Sequence, residues 1–204
     1  MADAIGVLIS GRGSNLQAII DATRERRILA PISIVVSNSP SAQGLERARA
    51  AGIATAVLPH KDWPSRADHD RALVAKLRQH DVTMVCLAGF MRLLGPAFID
   101  AFPHRILNVH PSLLPSFPGV DAQRQAIEHG VRVSGATVHL VTADLDAGPV
   151  ILQSPVPVLA WDTAETLAAR ILIEEHKLYP EAIRIVLEGG WRVEGRRFIP
   201  RNET

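Results

Sequence analysis

Short apolar runs alternate with longer amphipathic stretches through the first hundred residues. "AIGVLIS" (4–10) is followed by "NLQAIIDATRERR", "ISIVVSN" (32–38) by "GLERARAAG", and "IATAVLP" (53–59) by a helical pattern from about Arg66 to His80; "VTMVCLAGF" (82–90) then closes the series. The runs are apolar at successive positions, so both faces of each strand need cover, and the β–α–β–α order supplies the helices that cover them. An α/β fold is expected: a doubly wound, mostly parallel sheet with helices on both faces. Beyond "ILNVHP" the pattern changes. "DAQRQAIEHG" (121–130) reads as a helix and is followed by two adjacent β runs, "GATVHLVT" (135–142) and "PVILQSPVPV" (149–158), joined by a stretch with turn-forming Asp and Gly. These make the sheet mixed. Asp162, with Glu165 three residues on, reads as the capping box of a long helix that ends at Gly189 and Gly190, and "WRVEGRRFI" predicts a last hairpin. Without repeats, low-complexity tracts or linkers, one domain over 1–204 is expected, with an N-terminal half of about 1–100 and a C-terminal half of about 101–204.

Charge and cysteine usage narrow the partners. Lys and Arg number 22 against 21 Asp and Glu, a net charge of +1, so no long-range field attracts nucleic acid or an anionic membrane. A single cysteine, Cys86, excludes an intramolecular disulfide and a Cys-based zinc site and fits a reducing compartment. No apolar stretch approaches the roughly 18 residues of a membrane span, and the start lacks a basic leader region. The expectation is a cytoplasmic protein acting on small molecules.

Two stretches carry candidate chemistry. In "LISGRGSNLQAII" a strand ends at Ser10, Gly11 and Gly13 follow, and an amphipathic helix begins near Ser14. Such a glycine turn brings backbone N–H groups and a helix dipole up to an anion, with Gly13, Ser14 and Asn15 as the donors. Leu16 stands where a dinucleotide fingerprint has its last glycine, and the G-K-[ST] of a P-loop is absent, so one phosphate rather than a pyrophosphate is expected. The second stretch is "ILNVHPSLLP" (106–115). Asn108 and His110 lie two apart on a strand and share a face, while Pro111 keeps His110 extended. Asn has poor β propensity and a buried amide needs partners, so the pair is costly unless used. An amide donor beside an imidazole suits the stabilisation of an oxyanion on a carbonyl under attack. Asp144 and Asp146 are both candidates for the carboxylate that orients the ring.

The segments "ISGRGSNLQAIID", "GLERARAAGI", "LAGFMRLLGPAF", "ILNVHPSLLPSFPG", "SGATVHLV", "LDAGPVILQ" and "EEHKLYP", in this order from about Ile5 to Pro200, closely resemble the phosphoribosylglycinamide formyltransferase family of purine synthesis. The resemblance implies the formyltransferase fold and a catalytic trio of Asn108, His110 and Asp146. It implies attack of the amine of glycinamide ribonucleotide on the formyl carbon of 10-formyltetrahydrofolate, with the oxyanion held by Asn108 and protonated His110. Asp146 would orient the imidazole and raise its pKa. The ribonucleotide would be held by Gly13, Ser14 and Asn15 at its phosphate and by Glu175. The folate co-substrate would be held by Arg66, Met91, Arg92, Leu93, Leu94 and Asn108, and by Thr142, Ala143 and Asp144. No metal is implied, and the chain is expected as a monomer or homodimer. The resemblance also implies a cis Leu114–Pro115 bond. One departure is Asp121 in "PGVDA", where many relatives carry a histidine. Methionyl-tRNA, sugar-nucleotide and deformylase enzymes share the trio, but the near-zero net charge counts against tRNA, and a deformylase has no need of the "GRGSN" loop.

Overall fold

The structure, a computed structural model, describes residues 3–201, which divide after Leu107 into two compact units. In the first unit, strands β1 (Ile5–Ile9), β2 (Ile32–Ser37), β3 (Ala54–Val57) and β4 (Met84–Leu87) lie in the order β3-β2-β1-β4, all parallel. Ile5, Val7, Leu8 and Ile9 are fully buried. Because successive side chains of a strand point to opposite faces, both faces of β1 are covered. Helices α1 (Ser14–Arg24), α2 (Gly44–Ala50) and α3 (Arg66–Arg78) alternate with these strands as the pattern predicts.

Two strands are shorter than expected. β3 lies at the end of the order and is partly exposed, so its outer residues gain little from pairing. β4 stops at Leu87 although the apolar run continues, because Gly89 takes φ 73° and turns the chain out. A helix that periodicity does not reveal follows: α4 (Pro96–Ala101) has six residues, with proline in its first turn. It seats Phe98 against Phe102, ring centroids 5.5 Å apart.

β5 (Ile106–His110) carries the chain into the second unit, which holds α5 (Ala122–Glu128), β6 (Val133–Leu140), β7 (Val150–Pro157), α6 (Ala164–Glu188), β8 (Arg192–Glu194) and β9 (Arg197–Ile199). β6 and β7 form the expected antiparallel hairpin, β9 runs parallel to β7, and β8 closes antiparallel on β9. α6 buries Leu167, Ile171, Glu175, Tyr179 and Ile183, four residues apart, on one stripe. Leu167 and Ile171 join Ala126, Ala136, Val156 and Val158 in a core that ties α5, the hairpin and α6 together.

The capping box of α6 is displaced by one residue from the expected Asp162 and Glu165. Thr163 is the N-cap, and it exchanges hydrogen bonds with Thr166. Asp162 is taken instead by Arg170, whose two terminal nitrogens donate to its two oxygens at 2.7 and 2.9 Å, and by the N–H of Leu159. The hydrogen bonds from Arg170 hold the Asp162 carboxyl well below the usual carboxylate range. Asp162 thus braces the turn before α6. None of the described helices is long and apolar enough to cross a membrane.

Candidate active site

Asn108 and His110 project from one face of β5, between the buried Leu107 and Val109 of the other. His110 is 4 % exposed, and both its ring nitrogens face acceptors. Nε2–H donates to the Phe117 carbonyl at 2.8 Å, since a carbonyl can only accept. Nδ1 lies 3.4 Å from Oδ2 of Asp146. Of the two candidate acids, Asp146 meets the ring, whereas Asp144 is exposed on the same turn.

That turn is built to aim Asp146. It lies between β6 and β7, where Leu140 N–H donates to Pro149 O at 2.9 Å and pinches the ends of the loop together. A side chain on Gly148 would collide with the Leu140 carbonyl, so the pinch requires glycine. Asp146 itself sits at φ 48°, a left-handed conformation that non-glycine residues hold only when their surroundings over-determine it. Gly119 N–H, donating to Asp146 Oδ2 at 2.8 Å, is one such constraint.

The loop after β5 is fixed by a second polar network. Thr137 Oγ1 donates to Ser112 O at 2.7 Å and accepts from Leu114 N–H at 3.0 Å. Gln153, paired with Thr137 across the hairpin, donates to Leu114 O and to Thr137 Oγ1, both at 2.9 Å. Leu114–Pro115 is cis, as expected. These bonds set the course of residues 112–117 and hence the Phe117 carbonyl that His110 meets.

One member of the cluster escapes a sequence reading. His139 on β6, 2 % exposed, places Nε2 3.2 Å from Nδ2 of Asn108 and 3.7 Å from Oδ1 of Asp146, while Nδ1 lies 3.0 Å from Leu140 O. The available signal was the anomaly that marks Asn108: a polar side chain inside the apolar run "ATVHLV". Burial pushes the His139 imidazole below its ordinary value of 6.5, with nearby His110 adding to the shift and Leu140 O and Asp146 opposing it. The unfolded chain then binds more protons than the folded one as pH drops past 6.5. The stability His139 contributes is complete above 6.5 and is lost as pH falls towards the folded value. Melting temperature followed from about pH 7.5 to 5.5 should therefore decline less steeply in His139→Leu than in the parent; parallel curves would refute the assignment.

In the first unit, the glycine turn has the expected form. Gly13, at φ 73°, caps α1, which starts at Ser14, and having no side chain it takes none of the first-turn donors. The turn is held from outside by Gly44 N–H donating to Gly11 O at 3.0 Å and by Arg47 Nε donating to Arg12 O at 3.0 Å.

The sequence pattern of the formyl transferase family matches residues 4–183. The trifunctional purine biosynthetic protein adenosine-3 of Homo sapiens is 49% identical over 185 residues, 91% of this chain, which spans only 18% of that protein. The phosphoribosylglycinamide formyltransferase of Escherichia coli K12 is 48% identical over 192 residues, covering 94% of this chain and 88% of the relative. The chain belongs to the phosphoribosylglycinamide formyltransferase family. The crystal structure of glycinamide ribonucleotide transformylase 1 from Symbiobacterium toebii superposes with a TM-score of 0.96 at 55% identity, over 98% of this chain and 94% of that one. The mixed α/β architecture expected from the sequence is thus that of the formyltransferase fold.

The remaining residues that the formyltransferase resemblance assigns fall as follows. Arg66 is exposed on the first turn of α3, behind the Ser65 cap, which accepts from Asp68 N–H at 3.1 Å. Met91, Arg92 and Leu93 lie outside any strand, Met91 72% and Leu93 57% exposed, so the run from Met91 to Leu94 does not continue the core of β4. Its ends are anchored: Met91 N–H donates to Ser10 Oγ at 2.9 Å, and Gly95 N–H to the buried Asp70 at 2.7 Å. Thr142 is half-buried, and Ala143 and Asp144 are exposed on the turn that carries Asp146. Glu175 is 7% exposed on the buried stripe of α6. Asp121 begins α5 at φ 55°. No group of three or more His, Cys, Asp or Glu able to hold a metal occurs among the described residues.

Proposed function

We propose that this chain transfers the formyl group of 10-formyltetrahydrofolate to the amine of glycinamide ribonucleotide, giving formylglycinamide ribonucleotide in purine synthesis. The observation that carries the reading is the convergence of Asn108, His110 and Asp146, with His139 between them, in one largely buried polar cluster. The amine nitrogen bonds to the formyl carbon, and negative charge develops on the formyl oxygen. Asn108 contributes an amide N–H and His110 a ring N–H to that oxygen, in a site where burial strengthens each interaction. Asp146 holds the ring against rotation. The bond from the formyl carbon to the folate nitrogen then breaks, and the proton lost by the amine passes to that nitrogen through a relay, which we assign to water. Since His110 Nε2–H is engaged by the Phe117 carbonyl, that carbonyl gives way to the formyl oxygen as the donor arrives, while Gly119 N–H stays on Asp146.

Gly13, Ser14 and Asn15 are assigned the single 5′-phosphate, and Glu175 the glycinamide end. Arg66, the 91–94 segment and the 142–144 turn are assigned the folate. On this reading the chain works as one formyltransferase domain, in the cytoplasm and on small molecules, as a monomer or homodimer.

The test is incubation of the protein with 10-formyltetrahydrofolate, with and without glycinamide ribonucleotide. Tetrahydrofolate should be released only when the ribonucleotide is present. Release without it would make the protein a deformylase, and no release at all a binding protein. A second expected outcome concerns the loop: Ser14→Glu places an anion where the phosphate is assigned, so it should weaken ribonucleotide binding at least about tenfold and leave folate affinity unchanged. Equal losses by calorimetry would refute the placement.

A further inference from the structure

We propose that His139 is a positioning residue for formyl transfer, accepting an N–H of Asn108 on Nε2 and so fixing which way the Asn108 amide faces. The inference rests on the assignment of Asn108 as an oxyanion donor and deepens it.

Leu140 O can only accept, so the 3.0 Å contact to His139 Nδ1 requires the proton to be on Nδ1. In the uncharged ring Nε2 is then an acceptor, and only the NH2 end of Asn108 can satisfy it at 3.2 Å. This excludes the flipped amide, in which the carbonyl oxygen of Asn108 would face a lone pair. Burial of His139 and the neighbouring His110 favour that uncharged ring, against the pull of Leu140 O and Asp146.

The consequence is chemical. An asparagine amide is symmetric in shape but opposite in polarity at its two ends. Held by His139, it keeps its second N–H for the formyl oxygen. Released, it can turn and point its own oxygen at the developing negative charge. Two imidazoles around one carboxylate thus take different tasks: His110 faces two acceptors, whereas His139 keeps one nitrogen bare to orient the donor beside it. Preorganisation of this kind matters because a donor already aimed at the oxyanion needs no rearrangement during the reaction.

Two measurements on the full chain test this. In the parent protein, nitrogen-15 NMR of His139 should report a proton on Nδ1 and none on Nε2 from about pH 7 to 8, where neutral imidazole prevails; an Nε2–H tautomer or a doubly protonated ring would overturn the proposal. In kinetics, His139→Leu should lower kcat by about tenfold or more, part of what loss of a whole oxyanion donor removes, with the KM for ribonucleotide little changed. His139→Gln, whose side-chain oxygen can accept the same N–H, should recover part of the loss. Combined with Asn108→Ala, His139→Leu should cost nothing further, whereas multiplying losses would mean that His139 acts elsewhere. Should His139→Leu fail to fold, the tautomer and the His139→Gln cycle decide. If Asn108→Ala alone keeps full turnover, the catalytic assignment of Asn108 falls; if it is impaired and the losses still multiply, only the positioning role falls.

Discussion

Turnover of His110→Ala and of Asp146→Asn should each fall by about a hundredfold or more, the usual cost of losing an oxyanion donor or a proton-transfer group. His110 is buried with Nε2 on the Phe117 carbonyl and Nδ1 facing Asp146, so its removal deletes a donor and leaves two acceptors without it. Asp146→Asn tests a different link. Its amide oxygen, in the place of Oδ2, can still accept Gly119 N–H and face His110 Nδ1, keeping the turn in place, while its NH2 takes the place of Oδ1 beside His139 Nε2. What the variant removes is the negative charge beside the ring, which balances positive charge on His110 during transfer. Both variants should remain folded at the assay temperature, so that the kinetic loss is not unfolding. The measurement is kcat with saturating ribonucleotide and folate, beside calorimetric unfolding. Near-parental turnover in either folded variant would sink the role assigned to that residue.

Asn108 and His110 are legible in the sequence for a reason that does not depend on knowing the family. Polar side chains two apart in a strand otherwise buried are an expense the fold would not carry unused. Asp146 is not legible in the same way, since Asp144 two residues earlier is an equal candidate until the turn is built. The resemblance chooses Asp146, and the left-handed φ, the Gly148 pinch and the Gly119 contact supply the physical reason. The backbone partners of the cluster, Phe117 O and Gly119 N–H, are invisible to a reading of side chains. His139 is marked only by being polar inside "ATVHLV", and nothing in the sequence says that it faces Asn108.

The fold divides along similar lines. Strands buried on both faces and the stripe of α6 follow from apolar spacing alone. The early stop of β4 depends on one backbone angle at Gly89, α4 is too short to show a period, and the cap of α6 is decided by Arg170, eight residues beyond Asp162. Apart from α4, each miss is a case in which a contact or a dihedral outweighed a local preference.

Gly13→Ala should damage both stability and ribonucleotide binding, and Gly11→Ala should do neither. The two glycines look equivalent in "SGRGSN" but differ in what surrounds them. A Cβ on Gly13 would stand 2.6 Å from Gly44 Cα, at a φ of 73° that disfavours any side chain, whereas a Cβ on Gly11 meets nothing within 4 Å. Left-handed backbone at a non-glycine residue costs about 1–2 kcal/mol, and overpacking adds about 1–3. A loss of roughly 2–5 kcal/mol is therefore expected for Gly13→Ala, read as a fall in urea midpoint. Gly44 cannot give way cheaply, because a helix backbone rather than a flexible side chain lies in the path, so the displacement goes into the start of α1. Donors aimed at a phosphate lose about 1.5–3 kcal/mol when a charged hydrogen bond is lost, which is about ten- to a hundredfold in the ribonucleotide Kd. Equal behaviour of the two alanine variants would show that the turn is a simple connection and that the phosphate is held elsewhere.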